Sequence, residues 1–181
     1  MKNYVCFTDG SFLSGTGEVH GSVVFTDHEA NVLTQMHLYT TLPAIVSMNY
    51  VGGEVMAAAA AIQSVINTIK KEQEDGGGLE SYKLTLIYDY QGVGMWATGK
   101  WAAKKPGSAW FKNTVKSLIE SVPNFTVDWV WTKGPQSLTG NYNQDIIITG
   151  NKHADRAAAY DMVYTKQNNI PVICMDQVIV I

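Results

Sequence analysis

Val5-Cys6-Phe7-Thr8-Asp9-Gly10-Ser11 joins an apolar run to a single acid and a turn. Its apolar run reads as a buried strand. The run closes on a carboxylate, then on a Gly and a Ser that turn the chain. An isolated Asp at the end of a buried strand is costly to desolvate unless something compensates it. Three other acids stand in comparable settings. Glu54 lies in Gly52-Gly53-Glu54-Val55-Met56-Ala57, and Asp89 ends Leu84-Thr85-Leu86-Ile87-Tyr88-Asp89. Asp155 lies in Gly150-Asn151-Lys152-His153-Ala154-Asp155-Arg156-Ala157-Ala158.

Outward from the first stretch, Tyr4 to Asp9 is read as the first strand, Gly21 to Phe25 as the second and Val32 to Tyr39 as the third, an antiparallel meander. A loop with Pro43 follows. Gly52-Gly53 then leads into a helix from Glu54 to Lys71. Val55, Ala58, Ile62, Val65 and Ile69 recur there at three-and-four spacing, an apolar stripe for packing on a sheet. Glu54 falls in the first turn, where free backbone N–H groups favour an ionised carboxylate. Glu72 to Glu80, with Gly76-Gly77-Gly78, reads as a polar loop.

Lys83 to Tyr88 is expected as the fourth strand, Gly92 to Thr98 as a short helix, Ala109 to Glu120 as another helix and Thr126 to Trp131 as the fifth strand. Lys133 to Gly150 reads as a long loop, a length that points to function. Within it, apolar Asp145-Ile146-Ile147-Ile148-Thr149 is expected to cover the site or to pair as a short strand. Asn151 is expected to cap a helix running to about Lys166. The alanines at 154 and 157–159 allow close approach to neighbouring backbone. The pattern is an α/β fold, a five-stranded mixed sheet flanked by helices, over residues 1–166. An apolar tail, 167–181, is expected to add an edge strand, with a partner contact as the alternative.

The chain has 181 residues, of which 46% are hydrophobic, enough for one core. No apolar run reaches the length of a membrane span. Asp9 interrupts the first apolar run too early for a signal peptide. Two cysteines make no disulfide framework, so both are expected reduced, in a cytoplasmic setting. A net charge of −3 taken alone argues against a nucleic-acid binder. Charge is unevenly placed, however. Between Tyr90 and Ile119 stand Lys100, Lys104, Lys105, Lys112 and Lys116 with no acid, and Trp96, Trp101 and Trp110 are interleaved. Such a segment is either a solvated helical face or a phosphate-tracking patch.

Asp9 and Asp89 end strands, while Glu54 and Asp155 are read as opening helices. In an open mixed sheet such ends converge on one crevice. Four carboxylates close together cannot all ionise unaided, because like charges raise each other's pKa. Two divalent cations relieve the charge, and oxygen-only ligands suit Mg²⁺ or Mn²⁺ rather than zinc. Two such ions about 4 Å apart activate a water and stabilise a leaving alkoxide in phosphodiester hydrolysis. Singly, each acid has a structural explanation as a turn former or a helix-dipole partner. The ordered set of four carries the chemical reading.

Thr8-Asp9-Gly10-Ser11, Gly53-Glu54 at an Ala-rich helix, Tyr88-Asp89-Tyr90-Gln91-Gly92 and Gly150-Asn151…Ala154-Asp155-Arg156-Ala157-Ala158 resemble the four motifs of type 1 ribonuclease H. The stretch from Asp89 through Trp96-Ala97-Thr98-Gly99-Lys100-Trp101 is especially similar to bacterial members. The resemblance implies a ribonuclease H-like fold. It also implies an endonuclease that cuts the RNA strand of an RNA–DNA hybrid, leaving 3′-hydroxyl and 5′-phosphate ends. Asp9, Glu54, Asp89 and Asp155 would be catalytic and hold two Mg²⁺, with Mn²⁺ as a substitute. Gly10, Ser11 and Asn49 would lie near the RNA strand, and Lys100, Trp101, Lys104 and Lys105 would face the DNA strand. The sequence departs from the family at three places. Gly134-Pro135 stands where a Gly-His pair is usual, Tyr50 stands where an Asn is frequent with Asn49 one residue earlier, and the loop before Asp155 is longer. Two rival readings are a non-catalytic binder of hybrid or duplex and a DNA-cutting nuclease of the same superfold.

Overall fold

In the computed structural model, which describes residues 1–76, 80–159 and 162–179, the opening stretch is the middle of β1 (Lys2–Leu13). Gly77 and Gly78 of the glycine-rich loop and residues 180–181 of the tail lie outside the described residues. β2 (Glu18–Thr26) and β3 (Val32–Thr40) complete the antiparallel meander. β4 (Tyr82–Tyr88) lies parallel to β1 on its other side, and β5 (Phe125–Trp131) lies parallel to β4. The sheet has six strands rather than the expected five, in the order β5-β4-β1-β2-β3-β6. The sixth, β6 (Val172–Cys174), comes from the tail and pairs parallel with β3 at the edge. Thr40, Thr41 and Asp176 fix it there, because the Asp176 carboxylate accepts from both hydroxyls and from the Thr41 N–H.

The described residues form six helices: α1 (Pro43–Val46), α2 (Tyr50–Glu74), α3 (Gly92–Ala97), α4 (Pro106–Glu120), α5 (Tyr142–Ala158) and α6 (Met162–Gln167), with α2 on one face of the sheet and α5 on the other. The alternation of side chains along β1 sorts the core. Cys6 joins Val23, Leu38, Leu84 and Leu86 in the layer beneath α2, whose stripe Val55, Ala58, Ile62, Val65 and Ile69 is fully buried. Phe7 turns the other way and packs with Val24, Ile87, Ala154 and Ala157 beneath α5. No helix among the described residues is long and apolar enough to cross a membrane.

Five expectations need correction. The helix carrying Glu54 begins at Tyr50, so Glu54 sits in the second turn and not the first. Gly52 and Gly53 lie inside that helix because neighbouring backbone presses against them. A Cβ on Gly52 would stand 2.3 Å from the Ile45 carbonyl oxygen, and one on Gly53 2.0 Å from that of His20. Asp145 to Thr149 is neither loop cover nor strand but part of α5. That helix is capped by Asn141, whose side chain accepts from the Gln144 N–H, and not by Asn151, which is a mid-helix residue. Asp155 therefore lies in the last turn of α5 rather than opening a helix. The helix ends at Ala158 instead of continuing to Lys166.

Candidate active site

Parallel pairing of β1 with β4 places two acids side by side. The ladder stops at Phe7 opposite Ile87. Two residues further along each strand stand Asp9 and Asp89, at the mouth where β1 and β4 cease to pair. Glu54 is brought to the same mouth by α2. That helix reaches the sheet closely because Gly10 and Gly53 lack side chains. A Cβ on Gly10 would meet the Tyr50 carbonyl at 2.3 Å and the Glu54 nitrogen at 2.4 Å. One on Gly53 would meet the Gly10 Cα at 2.8 Å. Among the described residues, Asp9, Glu54 and Asp89 offer carboxylate oxygens that all lie within 4.8 Å of one another.

The electrostatics of this group are adverse. Glu54 is fully buried, and no donor from outside the acid group reaches its oxygens. Burial first, and then the Asp89 and Asp9 carboxyls beside it, push its pKa well above the ordinary glutamate value. Asp9 is pushed up to about 7, first by burial and then by the Asp89 charge, with a smaller push from Asp155. A side-chain hydrogen bond from Glu54, and then the Gly10 N–H donated to Asp9 Oδ1 at 2.7 Å, only partly offset this. A buried carboxylate without an outside donor, hemmed in by two more carboxylates, is a poor site for hydrogen bonding. It is a good one for a hard cation.

Asp155 is exposed and stands outside this tight group. It lines a cleft with Asp89, Thr132, Lys133, Pro135 and Lys152. The Trp131 indole donates to the Asp89 backbone carbonyl at 2.9 Å and fixes the cleft's rim. His153 is half-buried, and burial first, then Arg156, hold its pKa below the usual histidine value.

A chain of aromatic rings leads away from the acids. Tyr50 meets Tyr90 edge-on at 6.2 Å, Tyr90 meets Trp96 at 5.8 Å, and Trp96 meets Trp101 at 6.2 Å. Beside it, Lys104 and Lys105 with Tyr90, Trp96 and Ser108 line a pocket of about 290 Å³. Lys100 is exposed, and Trp101 is 39% exposed. Asn49, exposed and just ahead of α2, has a φ of 55° and its side chain caps nothing. Ser11 is half-buried, and its hydroxyl donates to the Ala158 carbonyl at 2.7 Å.

A scan against protein-family models finds no match, and a search of curated proteins finds none either. Solved structures do match. The N-terminal ribonuclease H domain of Rv2228c from Mycobacterium tuberculosis, solved as a fusion with maltose-binding protein, has a TM-score of 0.62 at 16% identity. That match covers 93% of this chain and 99% of that one. The LC11 ribonuclease H1 in complex with an RNA/DNA hybrid gives 0.59 at 16% identity, covering 90% and 99% of the two chains. The ribonuclease H1 of the halophilic archaeon Halobacterium salinarum NRC-1 gives 0.57 at 14%, covering 92% and 98%. This is the ribonuclease H fold.

Within that fold the acids fall where the carboxyl ends of adjacent parallel strands open a crevice. Several residues of the crevice carry no sequence motif of their own. Lys133 and Lys152 bring positive charge to the wall between Asp89 and Asp155. Buried His20 and His37, whose Nδ1 and Nε2 lie 2.9 Å apart, give no signal in the sequence, since each simply occupies an inward strand position.

Proposed function

We propose that this chain is a divalent-metal-dependent endonuclease that hydrolyses the RNA strand of RNA–DNA hybrids. The observation that carries the reading is the convergence of Asp9, Glu54 and Asp89 within 4.8 Å, around a buried glutamate with no donor from outside the acid group. Asp9, Glu54 and Asp89, with Asp155 across the cleft, would hold two Mg²⁺ or Mn²⁺ ions. When bound, such ions lower the pKa of an attacking water and neutralise charge developing at the phosphate.

The protein's own groups do the rest. The three packed carboxylates present a preformed negative site whose geometry is set by β1, α2 and β4, so little reorganisation accompanies loading. Lys100, Lys104 and Lys105 are placed to track a phosphate backbone, and Trp101 and the aromatic chain offer faces to sugars and bases. Gly10, Ser11 and Asn49 are proposed to meet the RNA strand. Discrimination against DNA would rest on 2′-hydroxyl contacts and on hybrid shape. Pro135 carries no titratable proton, and the cations in the cleft wall are Lys133 and Lys152. The free cysteines, Cys6 buried and Cys174 exposed, fit the proposed cytoplasmic setting.

Labelled hybrid, RNA duplex and DNA duplex, incubated side by side with Mg²⁺ or EDTA, test the proposal. Cleavage confined to the RNA of the hybrid, Mg²⁺-dependent, yielding 5′-phosphate ends and lost in Asp89→Asn, is the expected result. Pro135 in place of a histidine favours a second reading, a non-catalytic binder. Hybrid retention without cutting in Mg²⁺ would select it. Cutting of DNA duplex in preference to hybrid would replace the proposed substrate.

A further inference from the structure

Asp155 is the one candidate acid that the sheet and α2 do not carry, so its distance from the others depends on how α5 is docked. The docking is specific. Register pairs Asp9 of β1 with Ser22 of β2, and Ser22 with His37 of β3, so the three side chains form one cross-strand row. The Ser22 hydroxyl donates to the carbonyl of Ala154, the residue immediately before Asp155, at 2.7 Å. His37 Nδ1 donates to the Ala157 carbonyl at 2.7 Å, and the Ser11 hydroxyl donates to the Ala158 carbonyl at 2.7 Å. Each bond comes from a different strand, and all three meet the helix's last turns.

The last carbonyls of a helix lack intrahelical donors and are usually satisfied by a capping turn or water. Here the sheet satisfies two of them directly. Small residues make this approach feasible. Ala154, Ala157 and Ala158 are buried, and a Cβ on Gly150 would fall 2.1 Å from the Phe7 ring. Helix and sheet are therefore in close contact from Gly150 to Ala158, and the three donors fix the rotation and the register of that contact. His20 backs His37 through their 2.9 Å ring contact.

We propose that Ser22 and His37, with Ser11, are positioning residues that hold Asp155 in the wall of the cleft it shares with Asp89, facing the Asp9–Glu54–Asp89 group. The proposal rests on the metal-dependent nuclease reading. Ser22 links the two halves of the site: its neighbour in the sheet is Asp9 and its hydrogen-bond acceptor adjoins Asp155. Rotation of α5 about its axis by even part of a residue's turn would carry the exposed Asp155 carboxylate out of the cleft, and among the described residues no side-chain bond of Asp155 resists this.

The test compares Ser22→Thr with Ser22→Val, which share a shape and differ in the hydroxyl, alongside Ser22→Ala. Mg²⁺ and Mn²⁺ binding to the full chain is read by titration calorimetry, and kcat and KM for hybrid are read against metal concentration. In Ser22→Val and Ser22→Ala we expect the weaker metal-binding event to lose about tenfold in affinity and kcat at fixed metal to fall by a similar factor. KM for hybrid should stay within about twofold, and Ser22→Thr should behave as wild type. Ile69→Val, a core change in α2 far from α5, controls for stability and should leave metal affinity unchanged. Equal metal affinity in Ser22→Val and Ser22→Thr, with Ser22→Ala like wild type, overturns the proposal. A wild type that binds the ions but cuts no hybrid removes the nuclease reading alone, and the calorimetry still decides the placement of Asp155. A wild type that takes up no divalent ion overturns both.

Discussion

Replacing Asp9 by Asn should make the metal-free protein more stable. Asp9 has a pKa raised from its ordinary 3.8 to about 7 by burial and by its acidic neighbours. A group raised in the folded state contributes stability below its unfolded value and loses it as pH climbs through the folded one. Above about pH 8 an ionised Asp9 therefore costs on the order of 4 kcal/mol, at 1.36 kcal/mol for each unit of pKa. Asn keeps the shape, still accepts the Gly10 N–H and carries no charge. Allowing for relaxation, Asp9→Asn in EDTA at about pH 8.5 should gain roughly 2–4 kcal/mol, or roughly 5–15 °C in Tm for a domain of this size. At about pH 5 the gain should fall to roughly a third of that, and below about pH 3.8 it should vanish, because the unfolded carboxyl is then protonated as well. Millimolar Mg²⁺ should reverse the ranking, since a ligand that binds only the folded wild type stabilises it by mass action. Thermal melts followed by circular dichroism, at both pH values with and without metal, decide the matter. A wild-type melting temperature in EDTA that does not fall between about pH 5 and 8.5, or an Asn variant less stable than wild type there, would refute the electrostatic account.

Gly150→Ala should destabilise by about 1–3 kcal/mol in urea unfolding, because the new methyl would sit 2.1–2.4 Å from three atoms of the Phe7 ring. Asp176→Ala should cost about 1 kcal/mol through loss of its bonds to Thr40 and Thr41, and should admit protease near residues 168–171, visible as early loss of the tail in mass spectra. Lys104→Ala with Lys105→Ala should weaken hybrid binding at low salt and reduce the slope of log K against log salt by about 2, measured by fluorescence anisotropy.

The strands at the centre of the sheet were legible because β1, β4 and the helix α2 each carry one clean periodicity. Cys6 and Phe7 alternate, and Val55, Ala58, Ile62, Val65 and Ile69 recur on one face. Region 133–158 was misread because its local signals conflict. Ile146-Ile147-Ile148 is β-branched and favours a strand by propensity. Tertiary packing overrides this, since Ile147 packs against the Phe7 cluster and Ile148 is buried on the helix. A readable cue was present in Asn141-Tyr142-Asn143-Gln144, an N-cap residue followed at the third position by Gln, with Asp145 accepting from the Thr139 and Gly140 N–H groups. The sixth strand was harder to place, because Val172 to Cys174 is short and exposed and pairs only through β3 and the Asp176 clasp.

The acid cluster is held against its own repulsion by packing that lies outside it. An ionised Glu54 is not stabilised in the metal-free fold, as it receives no donor from outside the acid group, has no water access and has two carboxyls for neighbours. Its position follows from α2, whose buried stripe anchors the helix over its whole length and whose Gly53 locks against Gly10 and the His20 carbonyl. Two glycines in the first turn of a helix each cost about 1 kcal/mol relative to Ala. Their presence at Gly52 and Gly53 is explained by the close approach they permit rather than by any helical preference. Gly10 therefore has a role that a substrate contact alone would not require: with a side chain there, the helix would stand off the sheet and Glu54 would leave the mouth between β1 and β4. The carboxylate site is a consequence of a backbone-to-backbone contact, and the chain keeps its acids together by spending glycines instead of counter-charges.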